Sequence, residues 1–438
     1  MSMEKITAPR GTQDIIPPGS RQWRELEAAI GDLADRFAYS EIRTPTFEAT
    51  ELFVRGVGET TDIVEKEMYT FEDRKGRSLT LRPEWTAGVV RAVLEHNLLA
   101  QGPLKLYYTG SIFRYERPQK GRYRQAHQFG VECLGYADAA ADAEVIQLPI
   151  DLLSRFGIGG LRVELNSIGD AACRPAYRQA LLDHFRPVAD QLSADSQRRL
   201  ERNPLRILDS KDLRDKPFID QAPSYLDHLC PECETHFATL RGHLDALGIR
   251  YTVNPRLVRG LDYYTRTVFE VHSDALGAQS TILGGGRYDG LVEQLGGPST
   301  PAVGFAMGLE RFLMVREQLG TLTEPARRGI QLIALGDAAR TRLVPVLAGI
   351  RRVYDEPADM DLTDRKLGAQ LKLADRNGAR IAAICGDEEL ARNVLTLRDL
   401  ETKEQRTFPL PEGTDVDGLV AVIRDLAATP LPAAPAAP

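Results

Sequence analysis

Gln128-Phe129-Gly130-Val131-Glu132-Cys133-Leu134 alternates: Phe129, Val131 and Cys133 fall on one side, and Gln128, Gly130 and Glu132 on the other. A period of two marks a β-strand, here with one apolar face and one carrying an amide and a carboxylate. A carboxylate buried on such a strand needs a cation or donor as partner. Upstream, the β pattern runs through Leu104-Lys105-Leu106-Tyr107 and then Phe113-Arg114-Tyr115-Glu116, which predicts Arg114 and Glu116 two apart on one strand face. An arginine so placed forks onto a phosphate while the carboxylate accepts from an amino group. Read alone, the pair is more simply an ordinary cross-strand ion pair.

Further out, Trp23, Leu26, Ile30, Leu33 and Phe37 recur at steps of three and four, one face of a helix over Arg21–Phe37. It leads into an extended piece that ends at Pro45. Arg82–Leu99 reads as a helix with Pro83 near its first turn. Strands are expected again at Leu161–Leu165 and Tyr263–Val271, with a charged, helical insertion at about residues 170–240. Gly284–Gly290 reads as a glycine-rich turn, and Val303–Met307 as a strand running through Gly308 into a helix over Leu309–Leu319. Arg311 falls in that helix's first turn, where the N-terminus favours anions. Past Pro325 the style changes to strand, helix, helix and two strands, an α/β domain expected at residues 329–425 after a larger one at 1–325. The alanine- and proline-dominated stretch 427–438 reads as a disordered tail.

The 438 residues, 43% hydrophobic and 27% charged, fit a soluble globular protein of about two to four domains. The N-terminus lacks a signal-peptide pattern, and no apolar run approaches the roughly 18 residues of a membrane span, so no membrane partner is expected. Five scattered cysteines point to a reducing cytoplasm rather than a disulfide framework. A net charge of −7 gives no support to a nucleic-acid partner, although a reader of RNA can confine its positive charge to one face. The chain has no GxxxxGK[ST], HExxH or GxSxG, and the glycines at 284–290 lack the GxGxxG spacing. His228, Cys230, Cys233 and His236 form one CxxC with histidines packed close in a helical context, a weak metal signal. They read as packing positions, so no metal ligands are expected, and His127 reads as structural rather than as a general base.

Arg259-Gly260-Leu261-Asp262-Tyr263-Tyr264 sets an arginine beside a glycine, where backbone approaches a ligand closely, and then two phenols. In isolation it is a loop arginine with core tyrosines. The ordered set is far more specific. The helix ending near Phe37 with the strand to Pro45, the stretch from Gly110-Ser111-Ile112-Phe113-Arg114 to Gly135, and Ala302-Val303-Gly304-Phe305-Ala306-Met307-Gly308-Leu309-Glu310-Arg311 resemble the three motifs of class II aminoacyl-tRNA synthetases. Arg259–Tyr264, Gly284–Asp289 and Pro9-Arg10-Gly11-Thr12-Gln13-Asp14 resemble signatures of the histidyl branch. The resemblance covers about residues 5 to 425.

It implies an α/β (α+β) fold: an antiparallel-sheet catalytic domain with a helical insertion, followed by a C-terminal α/β anticodon-binding domain. It also implies a homodimer built on the first motif. The activity implied is activation of L-histidine with ATP, Mg²⁺ assisting, and transfer to tRNA(His) for cytoplasmic translation. By the resemblance, Arg114 and Arg259 neutralise the α-phosphate, Arg311 the outer phosphates, and Glu116 accepts from the adenine amino group. Glu132 and Tyr264, with Tyr263 adjacent, face the imidazole; Glu84, Thr86 and Gln128 hold the α-amino group; Arg117, Gln119 and Lys120 face the acceptor end of the tRNA. Trp85 stands where a small residue is expected, and Ala126 where an aromatic ring would stack on adenine. The nearest other readings are a synthetase-like regulatory subunit of the first histidine-biosynthesis enzyme and a class II synthetase for another amino acid. Relatives of the first kind lack the arginine signature and the C-terminal domain; the second should lack Gly260–Tyr264.

Overall fold

A computed structural model describes residues 5–58, 61–116, 121–322 and 326–428, which divide into two compact units at Leu322. The first is built on β1 (Ser40–Glu41), β2 (Phe47–Ala49), β3 (Tyr69–Glu72), β4 (Ser78–Leu81), β5 (Leu104–Phe113), β6 (Gln125–Leu134), β7 (Leu161–Ser167), β8 (Tyr251–Val253), β9 (Thr265–Ser273), β10 (Thr281–Arg287) and β11 (Ala302–Gly308). Its main sheet has the order β1-β5-β6-β11-β10-β9-β7-β8, antiparallel throughout except for the parallel edge pairs β1–β5 and β7–β8. β2, β4 and β3 form a small separate sheet. The expected fold class, a mixed α/β chain with an antiparallel-rich sheet, holds.

The alternation in β6 sorts the two faces of this sheet. Phe129, Val131 and Cys133 pack with Leu26, Ile30 and Leu33 of the helix Gly19–Arg36, and with Phe312 and Val315 of the helix Leu309–Gln318. Burying each such side chain contributes about 1.5–3 kcal/mol. The opposite face carries Trp85, Tyr108, Tyr263, Tyr264 and Tyr288, aromatics with a polar handle or next to one. This second face positions the candidate site.

Three sequence expectations need correction. Arg114 and Glu116 do not share a strand, because β5 ends at Phe113. The Tyr115 N–H donates to Glu67 O and the Glu116 N–H to Arg114 O, so the backbone leaves the ladder in a tight turn. Gly284–Gly286 do not form a turn; they sit inside β10, paired with β9 and β11. Glycine in a central strand marks close approach of other groups. A Cβ on Gly284 would meet the Arg259 guanidinium, and one on Gly286 the Tyr264 ring. The predicted helix over Arg82–Leu99 is shorter, Thr86–Glu95.

Between β7 and β8 the chain is helical, with Arg174–Phe185, Ala194–Arg202 and Pro231–Ala246 the longer segments. The second unit holds β12 (Ile330–Ala334), β13 (Ala358–Met360), β14 (Ile381–Cys385), β15 (Val394–Asp399) and β16 (Gln405–Pro409), ordered β13-β12-β14-β15-β16. β12 and β14 run parallel and are buried along their whole length, as a strand covered on both faces must be. β15 and β16 are antiparallel and alternate in burial. Among the described residues, no helix is long and apolar enough to cross a membrane.

Candidate active site

Glu132 lies mid-strand in β6 and is 1% exposed. Its Oε1 accepts from Thr86 Oγ1 at 2.7 Å and from Tyr108 OH at 3.2 Å, and its Oε2 accepts from Tyr288 OH. Burial pushes its pKa up to about 8, against the three hydroxyls, which favour the charged form, and with help from the nearby Glu84. Room for this arrangement comes from glycines on the neighbouring strands. Gly304 pairs directly with Glu132 across β11, and a Cβ there would overlap Oε2. Gly130 pairs with Tyr108 across β5, and a Cβ there would overlap the phenol oxygen.

Glu84 precedes the helix Thr86–Glu95 and accepts from the backbone amides of Thr86 at 2.7 Å and Ala87 at 2.9 Å, satisfying donors that a helix start leaves open. Burial raises its pKa, opposed by those two amides and by Arg114. Gln128 Oε1 is buried without a hydrogen-bond partner among the described residues. Such an acceptor is costly unless a donor arrives from a ligand. Trp85 is also buried; it stacks on Tyr108 at 4.7 Å, with the Arg82 guanidinium 3.5 Å from its ring centroid. Gly110 makes space for it, since a Cβ there would lie 2.8 Å from the indole. The unexpected tryptophan is thus accommodated from below, while Glu84 and Thr86 keep their places beside Glu132.

Arg114 donates Nε to Pro83 O at 2.8 Å. Arg259 pairs with Glu270, and its buried Nε has no hydrogen-bond partner among the described residues. Burial would discharge Arg259, but Glu270 and Tyr264 outweigh it and hold the pKa above the ordinary arginine value. Glu84, Gln128, Glu132, Arg114, Arg259 and Tyr264 line one cavity of about 120 Å³, as do Thr86 and Tyr263. Glu116 and Arg311 do not line it. Glu116 lies 3.9 Å from Arg114 and 3.5 Å from Arg122. Arg311 donates to Thr281 O at 2.5 Å, and burial and the Arg122 guanidinium lower its pKa. Two guanidiniums close enough to repel make an attractive seat for an anion. Arg117, Gln119 and Lys120 lie outside the described residues. His127 Nδ1 is 2.8 Å from Glu310.

Four contributors were not singled out from the sequence. Tyr108 and Tyr288 hold Glu132; Gly130, facing Tyr108, and Gly304, facing Glu132, were the available signal. From the insertion, Arg174 donates to Tyr264 O at 2.7 Å, and Arg206 to Gly260 O at 3.1 Å and to Asp262 at 2.9 Å. These two arginines fix the Arg259–Tyr264 loop from a distance of tens of residues along the chain, which local pattern does not reveal.

A family model described as histidyl-tRNA synthetase matches residues 11–312, and one described as an anticodon-binding domain matches residues 348–425. The histidine–tRNA ligase of Desulfitobacterium hafniense is 52% identical over 413 residues, covering 94% of this chain and 97% of its own. That of Desulforamulus reducens is 50% identical over 409 residues, covering 93% and 97%. The crystal structure of apo S. aureus histidyl-tRNA synthetase superposes with a TM-score of 0.80 at 39% identity, covering 95% of this chain and 99% of that one. Likeness of this extent, over both units, shows that the chain belongs to the histidyl-tRNA synthetase family.

Proposed function

We propose that the cavity around Glu132 reads the histidine side chain and that Arg114 and Arg259 serve the α-phosphate while the amino acid is activated. The protein is a histidine–tRNA ligase. Its histidine carboxylate attacks the α-phosphorus of ATP; the bond to the β-phosphate oxygen breaks and pyrophosphate leaves. The terminal ribose hydroxyl of tRNA(His) then attacks the carbonyl carbon and AMP leaves. Both steps depend chiefly on positioning and on neutralising charge.

The observation that carries the reading is Glu132, a buried carboxylate whose hydrogen bonds come from hydroxyls. An imidazole N–H donating to it would complete the set, and an analogue without that N–H would leave the carboxylate short of a partner. Tyr264, with Tyr263 adjacent, would face the ring from the other side. Glu84, Gln128 and Thr86 would hold the α-ammonium, which supplies the donor that Gln128 Oε1 lacks. Arg311, beside Arg122, would take the outer phosphates, and Glu116 would accept from the adenine amino group. Arg117, Gln119 and Lys120 are proposed for the acceptor end of the tRNA.

Mg²⁺ is held mostly by substrate phosphates with one or two carboxylates. Glu270, beside Arg259 and accepting from Thr281 Oγ1 at 3.1 Å, is a carboxylate of the right kind to hold it. When bound, the ion would neutralise charge on the departing pyrophosphate. The second unit would read the anticodon, and the setting would be the cytoplasm. A homodimer is proposed through the first motif. Phe47 and Phe71, 50% and 44% exposed and 6.2 Å apart, give the small β2-β4-β3 sheet an apolar face suited to a second copy.

ATP–pyrophosphate exchange with each amino acid in turn tests the assignment. Exchange is expected with histidine alone; its absence from well-folded protein overturns the reading.

A further inference from the structure

From the sequence, His228, Cys230, Cys233 and His236 read as packing positions in a helix. The structure separates the histidines from the thiols. His236 Nε2 lies 3.3 Å from Asp142, and the His228 ring sits 5.6 Å from that of Tyr177. What meets Cys230 and Cys233 instead is Asp170 and Cys173, more than fifty residues earlier. The four potential ligand atoms, one from each residue, all lie within 4.8 Å of one another. We propose that Asp170, Cys173, Cys230 and Cys233 bind one Zn²⁺ as a structural site that pins the insertion to the histidine-reading loop.

The donor set and its geometry carry this assignment. Two short knuckles face each other: Asp170-Ala171-Ala172-Cys173 in the turn after β7, and Cys230-Pro231-Glu232-Cys233 at the start of the helix Pro231–Ala246. Zinc–sulfur bonds of about 2.3 Å in a tetrahedron put sulfurs roughly 3.8 Å apart, so the cluster needs only a small contraction around an ion. Three thiolates with one carboxylate suit Zn²⁺, and are too soft a set for Mg²⁺ or Ca²⁺. Cys173 and Cys233 are buried, and the Cys230 N–H donates to Cys173 Sγ at 3.1 Å, a bond that a metal-bound thiolate strengthens. Gly169 permits the first knuckle: its φ is +56°, and a Cβ there would come within 2.6 Å of Cys173 Cβ.

Charge is also provided for. Four anionic ligands on a divalent ion leave a surplus of two negative charges, and the Arg266 guanidinium stands 3.3 Å from Asp170 Oδ2. Arg266 holds φ of +51°, rare for a residue with a side chain, and its N–H donates to Gly169 O at 2.6 Å. A neighbouring carboxylate in the same insertion behaves differently. Asp215 accepts from the hydroxyls of Ser193, Ser196 and Ser210 and is complete without an ion. Asp170 accepts the Ala172 N–H at 3.0 Å on Oδ1 and the Arg266 guanidinium at 3.3 Å on Oδ2, and the thiols beside it, weak donors, add little.

The site reaches the active site most directly through Arg174. Arg174 follows Cys173 directly and donates to Tyr264 O at 2.7 Å. Holding Cys173 therefore holds Tyr264, so this functional consequence rests on the role proposed above for that tyrosine, whereas metal binding itself does not.

The full-length protein, purified without chelator, is expected to carry one zinc per chain by elemental mass spectrometry. Cys173→Ser and Cys230→Ser lose it, while Cys385→Ser, in β14 of the second unit, keeps it. Replacing zinc by Co²⁺ gives the visible bands of a tetrahedral centre and a thiolate-to-cobalt charge-transfer band, both absent from Cys173→Ser. Asp170→Asn, mild enough to keep the fold, loses zinc to a competing chelator at least tenfold more readily. Removing the metal raises the KM for histidine severalfold. Wild-type protein with far less than one zinc per chain, zinc retained by Cys173→Ser, or a Cys230–Cys233 disulfide in protein kept under reducing conditions would each overturn the site. Stoichiometric zinc with an unchanged KM keeps the site and overturns its link to Tyr264.

Discussion

Glu132 and Asp142 are both essentially sealed from solvent, at 1% and 0% exposure, yet they titrate in opposite directions. Glu132 is surrounded by hydroxyls, and burial lifts its pKa to about 8. Asp142 pays the same desolvation, but the His236 imidazole 3.3 Å away and the Arg287 guanidinium bring it down to about 2. Arg287 is itself completed by Asp289 at 3.2 Å and by Tyr136 O at 2.9 Å. One carboxylate is finished by the protein and the other waits for a partner. A buried carboxylate with its cation in place is architecture, whereas a buried carboxyl held by neutral donors at the end of a cavity is suited to a ligand.

The largest expected effect comes from breaking the finished pair. Arg287→Met leaves Asp142 buried without its guanidinium and should cost about 3–5 kcal/mol in urea unfolding. The histidine KM of the remaining folded protein should stay within a fewfold of wild type. A loss below about 1 kcal/mol would deny the pair its structural role. Glu132→Gln is the mirror experiment. It should lower kcat/KM for histidine by about 10²–10³-fold, or roughly 3–4 kcal/mol, with stability unchanged or increased because the amide, unlike the carboxyl, needs no proton taken up on folding. Near-normal exchange kinetics would remove Glu132 from the site.

This contrast was only half legible in the sequence. The alternation Phe129-Val131-Cys133 against Gln128-Gly130-Glu132 placed Glu132 on a polar face, since strand periodicity is local. The helix Gly19–Arg36 and the strand before Leu309 were legible for the same reason. What surrounds Glu132 was not: Thr86, Tyr108 and Tyr288 arrive from three different elements, and only pairing register brings them together. Arg287 ends the glycine-rich strand β10, and its partner Asp142 sits far away in sequence, in the helix Ala139–Arg155. The glycines at 284–286 misled for a physical reason. They punctuate turns when exposed, but inside a sheet they clear space for side chains on the neighbouring elements, here Arg259 and Tyr264.

Opposite pKa directions also predict opposite pH limbs. Glu132 holds its proton to about pH 8 when folded but to only about 4.5 otherwise, so between those values the folded chain binds more protons and stability falls as pH rises. Asp142 contributes stability that is present above its ordinary value of 3.8 and lost as pH falls towards about 2. Urea titrations from pH 4 to 8 should show Glu132→Gln gaining on wild type with rising pH, by about 2–3 kcal/mol at neutrality. Parallel profiles for the two proteins would mean that Glu132 is ionised at neutral pH, and the contrast with Asp142 would collapse.

The smallest change sharpens the comparison most finely. Tyr288→Phe removes one of the three hydroxyls from Glu132 and leaves the ring in the core beside Tyr263. The lost hydroxyl favoured the charged carboxylate, so its removal raises the Glu132 pKa further and leaves more of the site protonated at neutral pH. A single hydrogen bond to a charged group is worth about 1.5 kcal/mol, so the KM for histidine should rise about tenfold with kcat less affected. Because the variant would bind histidine about tenfold more weakly, saturating histidine should stabilise it less than wild type, and its stability loss should widen by about 1.4 kcal/mol when histidine is present. If the loss is the same with and without histidine, Tyr288 is packing alone, and Glu132 is as complete within the protein as Asp142.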